Sequence, residues 1–297
     1  MRDFIRAATP SFLLDLFRSY KKKKVRSQLN IDKKKGKIWS KEQLINQLMG
    51  MGIVQNDVLL VHSSLSKMGY VNGGAHTVVD AILEVIGDNG HLLMPNSPNA
   101  SYQADYIKEL KVFDVDQHKS KLGAISEVHR THPKSVRSWH PTEPVSCIGP
   151  NAKDFVAHHH LDLTPYGEKS PFYKVTANKG KILMIGVTLA IAGTNLHVLE
   201  DAVQNFKFPV YLDEIFEVEI LTPSNGRVSM KTKVHNPEWS KKRKCDDLIP
   251  LFEAEGALTF EQFGNAKCLL LDAHKMLEVM IRLYENQGVT MYTPQGS

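Results

Sequence analysis

Residues 57–95 constrain the fold of this chain more than any other stretch. Four apolar residues, 58–61, are followed by a loop rich in serine and glycine, a helical apolar pattern over residues 75–86, and a second apolar run that ends at Pro95. This order predicts a strand, a loop, a helix and a second, parallel strand, which together make a βαβ unit. Open α/β sheets bind ligands where their parallel strands end, and a helix N-terminus attracts phosphate. The loop after the first strand is therefore either a phosphate-binding loop or a plain strand-to-helix turn.

The remainder of the chain alternates strand-like runs with helical patterns. Strands are predicted at residues 145–148 and 181–187, an antiparallel hairpin at 215–234 around the Asn225-Gly226 turn, and a helix at 273–285. Residues 96–121 show little periodicity, so they are predicted to form a long loop that carries acidic and aromatic side chains. The predicted class is α/β, with a mixed, largely parallel central sheet flanked by helices and an added antiparallel β-hairpin.

Composition favours a globular protein without a membrane span. The 297 residues suffice for one large domain or two modest ones. No window has about 18 uninterrupted apolar residues, and no signal peptide is predicted. The three cysteines are odd in number and widely spaced, which predicts neither a disulfide framework nor a metal cluster. We therefore expect a cytoplasmic protein.

Basic residues concentrate in a lysine-rich segment at residues 21–37 and in a second block at 241–244. Runs of like charge are usually solvated, and no aromatic-interleaved module accompanies them, so no nucleic-acid partner is predicted. Residues 1–38 are predicted to be a basic amphipathic N-terminal extension, and residues 39–297 a single domain. The apolar face of the extension could lie on a membrane surface or join two copies in a homodimer, but docking on its own domain is favoured.

The segment with the clearest catalytic pattern is residues 194–200. On a helix, His197 and Glu200 share a face, and Thr194 lies one turn earlier. A carboxylate beside an imidazole fixes its tautomer and stabilises the imidazolium, as a general base requires, and a threonine hydroxyl could donate to an oxyanion. An ordinary capped helix with a surface His/Glu pair fits the same residues. A zinc site is not predicted, because the spacing is not H-E-x-x-H and the adjacent histidines 158–160 point in different directions.

Six motifs in order along residues 40–285 resemble the aminoglycoside 3-N-acetyltransferase family. They are Val61-His62-Ser63-Ser64-Leu65-Ser66 with Gly73-Gly74, Leu93-Met94-Pro95, Leu122-Gly123-Ala124-Ile125-Ser126-Glu127, Arg137-Ser138-Trp139-His140-Pro141, Tyr166-Gly167-Glu168-Lys169-Ser170-Pro171, and Gly186-Val187 before Thr194, His197 and Glu200. Each motif is short, but their common order is specific. The resemblance implies a CoA-thioester-dependent N-acyltransferase with an α/β fold of that family's own type.

The resemblance also implies roles for particular residues. His197, paired with Glu200, corresponds to the family's catalytic histidine, and Thr194 is expected to help hold the oxyanion. The acyl-CoA co-substrate is expected at the first loop of the βαβ unit, where the candidate residues are His62, Ser63, Ser64, Ser66, Gly73 and Gly74. No metal and no tightly bound cofactor are expected.

The acceptor implied by the resemblance is an amino sugar. His140 and Ser170 match recurrent family positions and are expected in the substrate cleft, with Asp105 in the long loop. An aminoglycoside needs an acidic cleft, whereas this chain has a formal charge of +5, so the favoured acceptor is a nucleotide-linked (dTDP- or UDP-) amino deoxysugar for surface polysaccharide synthesis. The transferred group would be acetyl or a hydroxyacyl. The alternatives are an aminoglycoside 3-N-acetyltransferase conferring antibiotic resistance and, in another class, a non-catalytic membrane-peripheral binding protein.

Overall fold

The computed structural model describes residues 11–99 and 101–296. Its strands and helices are numbered here along the chain. The strands are β1 (Ile38–Trp39), β2 (Val58–Ser63), β3 (Tyr70–Val71), β4 (His91–Pro95), β5 (Val112–Asp114), β6 (Val136–Arg137), β7 (Val145–Ile148), β8 (Lys181–Ile185), β9 (Phe216–Leu221), β10 (Arg227–Thr232), β11 (Leu258–Phe263) and β12 (Ala266–Asp272). The α-helices are α1 (Ser11–Lys34), α2 (Lys41–Gly50), α3 (Ala75–Ile86), α4 (Gln103–Glu109), α5 (Ala124–Arg130), α6 (Ala152–Val156), α7 (Pro171–Ala177), α8 (Leu189–Ala192), α9 (Val198–Ala202), α10 (Pro237–Ser240), α11 (Ile249–Ala254) and α12 (Ala273–Gln287).

Seven of the described strands form the central sheet, in the order β11-β12-β8-β2-β4-β7-β6. In the middle, β2 pairs in parallel with β8 on one side and with β4 on the other. The outer pairs are antiparallel. The α/β class and the mixed sheet are confirmed, but parallel pairing is confined to the three central strands, so "largely parallel" describes only the middle of the sheet. Short connections reverse the chain between β6 and β7 and between β11 and β12, and so make these two pairs antiparallel.

The predicted βαβ unit is confirmed at residues 57–95. The strands β2 and β4 pair in parallel, and α3 lies between them in the chain. This helix forms because its apolar residues recur at helical spacing, and Val78, Val79 and Ile82 are fully buried on the face that packs into the core. Gly74 begins the helix at φ 63° and Gly87 ends it at φ 68°, a left-handed conformation that glycine adopts without strain.

Helices cover both faces of the central sheet. On one face, α2, α3 and α5 share a core with side chains of β2 and β4. On the other face, α6, α7, α11 and α12 pack on side chains of β7, β8 and β12. These two cores hold the central strands rigidly, and so fix the loops that leave the carboxyl ends of β2, β4 and β8.

A second sheet has the order β10-β9-β5. Its hairpin is the predicted one, and Asn225 takes the left-handed conformation of the turn at φ 59°. The prediction of an uninterrupted loop at residues 96–121 is wrong, because this stretch holds α4 and β5, and β5 pairs in parallel with β9. Three residues are too few to show the alternation of a strand, yet Phe113 is fully buried against the hairpin.

The N-terminal extension is described from residue 11 onward. Residues 1–10 and the side chains of residues 11–18, where the apolar face is predicted, lie outside the described part. At the other end of α1, Nζ of Lys33 lies 5.2 Å from the ring centroid of Tyr70, so the helix contacts the domain there. None of the helices in the described part of the chain combines the length and the apolar character that a membrane span requires. The domain boundary near residue 38, the homodimer and the cytoplasmic location stay predictions.

Candidate active site

A cavity of about 350 Å³ opens where the parallel strands of the central sheet end. The carboxyl end of β2 contributes Val61, His62 and Ser63, and the end of β4 contributes Pro95. Other lining residues include Asn99, Gln103, Glu143, Tyr166, Leu189, Ile191, Thr194, His197, His235, Arg243 and Cys245. The cavity therefore lies where ligands of α/β sheets bind, at the carboxyl ends of parallel strands.

His197 and Glu200 form a buried pair on the wall of this cavity. A single 3₁₀ turn, Thr194–His197, runs into α9, and Nδ1 of His197 donates to Oε1 of Glu200 at 2.9 Å. The side chain of Glu200 is fully buried and that of His197 is 6% exposed. Burial excludes the alternative of a surface His/Glu pair. Because the carboxylate fixes the proton on Nδ1, Nε2 is the nitrogen left with a lone pair to act as a base.

Glu200 also binds two residues from distant parts of the chain. Its Oε2 accepts a hydrogen bond from Nε2 of His235 at 2.8 Å, and its Oε1 accepts one from the hydroxyl of Tyr292 at 2.6 Å. Burial alone would oppose ionisation of this carboxyl, but the interactions with His197 and His235 outweigh it and hold the pKa of Glu200 below its usual value. The carboxylate is thus charged and oriented from three sides.

The imidazole of His197 is kept neutral in the free protein. Burial lowers its pKa to about 3, against the opposing effect of Glu200. The ring of Tyr166 stacks on it with centroids 4.8 Å apart. A neutral imidazole has a free lone pair at neutral pH, and the charged carboxylate behind it stabilises the imidazolium that forms when it accepts a proton.

Thr194 and His62 meet across the cavity wall. Oγ1 of Thr194 lies 3.2 Å from Nε2 of His62, and both residues line the cavity. Burial lowers the pKa of His62 to about 4, so this ring is also neutral. A hydroxyl at this position can donate to a ligand oxygen, as an oxyanion donor must.

The candidate CoA-binding residues are only partly gathered at the cavity. His62 and Ser63 line it, whereas Ser64, Ser66, Gly73 and Gly74 do not. The hydroxyls of Ser64 and Ser66 lie 3.2 Å apart and bind each other. Gly73 and Gly74 form the turn into α3, with φ 77° and 63°. The loop is therefore a strand-to-helix turn whose first residues reach the cavity.

The three residues expected in the substrate cleft lie outside the lining of the cavity. His140 is fully buried, and its ring stacks on that of His159 with centroids 4.6 Å apart. Ser170 caps α7 by accepting a hydrogen bond from the backbone N–H of Tyr173 at 3.1 Å. Asp105 is exposed on α4. The first two are held by packing and capping, which explains their placement without a ligand.

Two polar residues that the sequence did not single out lie close to those candidates in the chain and do line the cavity. Glu143 follows His140 by three positions, and Gln103 precedes Asp105 by two. Nε2 of Gln103 donates to Oε1 of Glu143 at 2.7 Å. Burial raises the pKa of Glu143 to about 7. The motif around His140 is therefore followed closely by a residue that lines the cavity, although His140 itself does not.

Arg243 lies in the basic block at residues 241–244 and was not predicted to be a site residue. Its neighbours in the block are exposed, whereas Arg243 is half-buried and lines the cavity. Its Nε and Nη2 are buried and have no hydrogen-bond partner among the described residues. No sequence signal separates this arginine from the solvated lysines around it.

A metal site is the alternative use of this cluster. The ligand atoms of His197, Glu200 and His235 lie within 4.8 Å of one another. The carboxylate, however, already accepts an N–H from each imidazole, at 2.9 and 2.8 Å. A nitrogen that ligates a metal must direct a lone pair at the ion, whereas the two nitrogens that face Glu200 carry protons. The hydrogen bonds fit an oriented general base better than a metal centre.

Comparison with solved structures identifies the fold. The chain superimposes on the structure of AAC-VIa bound to sisomicin with a TM-score of 0.70 and 28% identity, over 83% of this chain and 97% of that one. It superimposes on AAC-IIIb in a binary complex with CoASH with the same TM-score, 0.70, and 24% identity, over 84% and 97% of the two chains. The architecture is therefore that of known acetyltransferases.

Sequence comparison identifies the family. A family model described as aminoglycoside 3-N-acetyltransferase matches residues 60–285, and the chain belongs to this family. Among curated relatives, aminoglycoside N(3)-acetyltransferase IX of Micromonospora chalcea is 28% identical over 163 residues, which is 50% of this chain and 58% of the relative. The matched segment thus spans little more than half of that relative. The resemblance predicted from the six motifs is confirmed.

Proposed function

We propose that this protein is a CoA-dependent N-acetyltransferase that transfers an acetyl group from acetyl-CoA to an amine of an aminoglycoside. The observation that carries the proposal is the buried His197–Glu200 pair on the wall of a cavity at the carboxyl ends of β2 and β4. Membership of the aminoglycoside 3-N-acetyltransferase family supports the reaction class.

The reaction needs a base and no covalent enzyme intermediate. Nε2 of His197 takes a proton from the acceptor amine as the nitrogen attacks the thioester carbonyl. A C–N bond forms, the C–S bond breaks when the tetrahedral intermediate collapses, and the proton on His197 becomes available to the leaving thiolate. Glu200 stabilises the imidazolium through Nδ1, and the hydroxyl of Thr194 is positioned to donate to the oxyanion.

The donor is acetyl-CoA or a longer acyl-CoA, bound as a co-substrate. Ser63 at the end of β2 supports a binding site there, because it is the one serine of the predicted loop among the residues that line the described cavity. The binary complex of AAC-IIIb with CoASH supports the same donor on the same fold. The more distant Ser64 and Ser66 are candidates for the phosphate-bearing part of CoA, outside the cavity.

The family match and the sisomicin complex of AAC-VIa favour an aminoglycoside acceptor over the nucleotide-linked amino sugar expected from the net charge. The charge of the whole chain was a poor guide, because the exposed lysines of its two basic blocks do not line the cavity. Glu143, on the cavity wall, supports a cationic acceptor. One observation favours the nucleotide-linked sugar as a second candidate: Nε and Nη2 of Arg243 are buried without a hydrogen-bond partner among the described residues, and such groups suit an anionic ligand.

An acceptor panel tests the proposal. Purified protein is incubated with acetyl-CoA or hydroxybutyryl-CoA and with aminoglycosides, dTDP-amino sugars or UDP-amino sugars, and release of free CoA thiol is measured. We expect turnover with acetyl-CoA and an aminoglycoside. Turnover confined to nucleotide-linked sugars would transfer the proposal to the second candidate, and no thiol release with any acceptor would contradict both.

The catalytic assignment has a matched pair of variants. His197→Ala should abolish turnover and leave CoA binding nearly unchanged, whereas His158→Ala, which removes an exposed histidine outside the cavity lining, should behave like the wild type. Wild-type turnover in His197→Ala would exclude this residue as the base.

A further inference from the structure

His235 is a second imidazole bound to the carboxylate that serves the proposed base. It lies three residues beyond the end of β10, and its Nε2 donates to Oε2 of Glu200 at 2.8 Å, while His197 donates to Oε1. The two rings lie close together, with centroids 4.2 Å apart, and both residues line the cavity. One buried carboxylate therefore binds one imidazole through each of its oxygens.

Neighbouring groups fix the orientation of His235 on several sides. Its backbone N–H donates to Oε1 of Gln103 at 3.0 Å. Its ring stacks on Tyr211 with centroids 4.8 Å apart and planes 9° apart, and Tyr211 is held by its hydroxyl, which donates to Asp201 at 2.9 Å. The ring of Tyr166 lies on it as well, at 5.5 Å. This degree of support holds an N–H toward Glu200 and leaves the ring little freedom to turn.

The hydrogen bond from His235 has two consequences for the base. First, it fixes the plane of the Glu200 carboxylate, and hence the direction in which His197 points. Second, an N–H donated to Oε2 withdraws electron density from the carboxylate, so that Oε1 attracts the proton of His197 less strongly. We propose that His235 is a positioning residue that orients Glu200 and limits how strongly Glu200 holds protons on His197. The proposal rests on the transferase function above.

A change at His235 can alter the protonation of His197 through any charged or titratable group near it. The groups near His235 are Glu200 and Asp201 on α9, His197 before it, the tyrosines 166, 211 and 292, and Arg243. Of these, only Glu200 forms a hydrogen bond with the His235 side chain in the described part of the chain. Loss of the N–H donor is therefore expected to act on His197 through Glu200.

The test compares two substitutions at the same position. His235→Phe keeps a flat ring that can stack on Tyr211 but has no N–H, whereas the amide nitrogen of His235→Gln can reach the place of Nε2 and donate to Glu200. We expect kcat of His235→Phe to fall by about 10- to 100-fold with KM for acetyl-CoA nearly unchanged. This loss is smaller than the about 100- to 10,000-fold that general-base catalysis as a whole contributes, because His197 itself is retained. The acid limb of its kcat profile should shift to higher pH. In His235→Gln, kcat and the position of the acid limb should both return most of the way to the wild-type values.

Controls separate positioning from general destabilisation. His159→Gln removes another buried imidazole, one that binds Ser138 and the carbonyl of Pro165 and does not line the cavity. It should lower thermal stability without moving the pH profile. If His235→Phe does not fold, His235→Asn is used in its place, because its shorter amide does not reach Glu200.

A readout without turnover separates this proposal from the proposed function. The protonation of His197 is followed by NMR titration of ¹⁵N-labelled imidazoles in the wild type and in His235→Phe. We expect the His197 resonances to titrate at higher pH in the variant. Absence of turnover in the wild type would defeat the function but leave this titration valid, whereas identical titrations and identical kcat profiles would overturn the role of His235.

Discussion

Replacing Glu200 by glutamine tests the site most directly, because it removes a charge and keeps the shape of the side chain. In the wild type the carboxylate accepts hydrogen bonds from His197 at 2.9 Å, from His235 at 2.8 Å and from Tyr292 at 2.6 Å. A glutamine amide can accept the bonds of one oxygen but presents N–H groups in place of the other. It also carries no charge to offset an imidazolium.

The expected loss of rate follows from Coulomb's law. Opposite unit charges about 4 Å apart attract by about 4 kcal/mol at an effective dielectric constant of about 20. Because about 1.4 kcal/mol corresponds to a factor of ten in rate, kcat should fall about 1,000-fold if the proton is fully on His197 in the transition state, and about 30-fold if it is half transferred. KM for acetyl-CoA should change little, since Glu200 does not line the cavity.

The assay is steady-state release of CoA thiol with saturating acetyl-CoA and the best acceptor. Asp154→Asn is the matched control, because this exposed carboxyl lies on the equally short helix α6, outside the cavity lining. It should retain most of the activity. If Glu200→Gln folds normally and keeps kcat within about threefold of wild type, the argument that a charged carboxylate supports the base is refuted.

Three further predictions concern other parts of the molecule. Glu143→Gln should raise KM for a polycationic acceptor about tenfold, or about 1.4 kcal/mol, with kcat nearly unchanged, and an unaltered KM would exclude Glu143 as an ammonium anchor. Burial lowers the pKa of His129 and His159 to about 3, so below pH 6.5 the unfolded state binds more protons and stability is lost as the pH falls toward the folded pKa. Thermal unfolding measured between pH 7 and 4 should show the melting temperature falling with pH, and falling less steeply in His159→Gln. An equal dependence of the melting temperature on pH in the two proteins would contradict the contribution of His159. Gly73→Ala should lower the melting temperature, because φ is 77° and an added Cβ would lie 2.2 Å from Oγ1 of Thr77. Adding Thr77→Ala to this variant should relieve the contact but not the backbone strain, and so should restore only part of the melting temperature. An unchanged melting temperature in Gly73→Ala would contradict both the steric and the conformational argument.

Local pattern was sufficient for elements whose apolar residues mark a buried face or a fully buried run. The helix α3 has the bounds 75–86 that its apolar spacing predicts, and the strand β7 has the predicted bounds 145–148. By contrast, β11 was not predicted. It is an edge strand with Phe260 57% exposed, so its apolar residues do not mark a buried face. The parallel or antiparallel sense of the outer strands also depends on connections that short-range periodicity does not describe.

The sequence by itself determined the family, the βαβ unit and the pair formed by His197 and Glu200, because each is written in residues close together in the chain. Only the tertiary structure decided what surrounds that pair. His235 and Tyr292 lie 35 and 92 residues from Glu200, yet both bind its carboxylate. The tertiary structure also decided the position of Arg243, which lines the cavity although its neighbours in the basic block are exposed. A buried carboxylate must be hydrogen-bonded to remain charged, and the order of strands in the sheet determines which distant residues can supply those bonds.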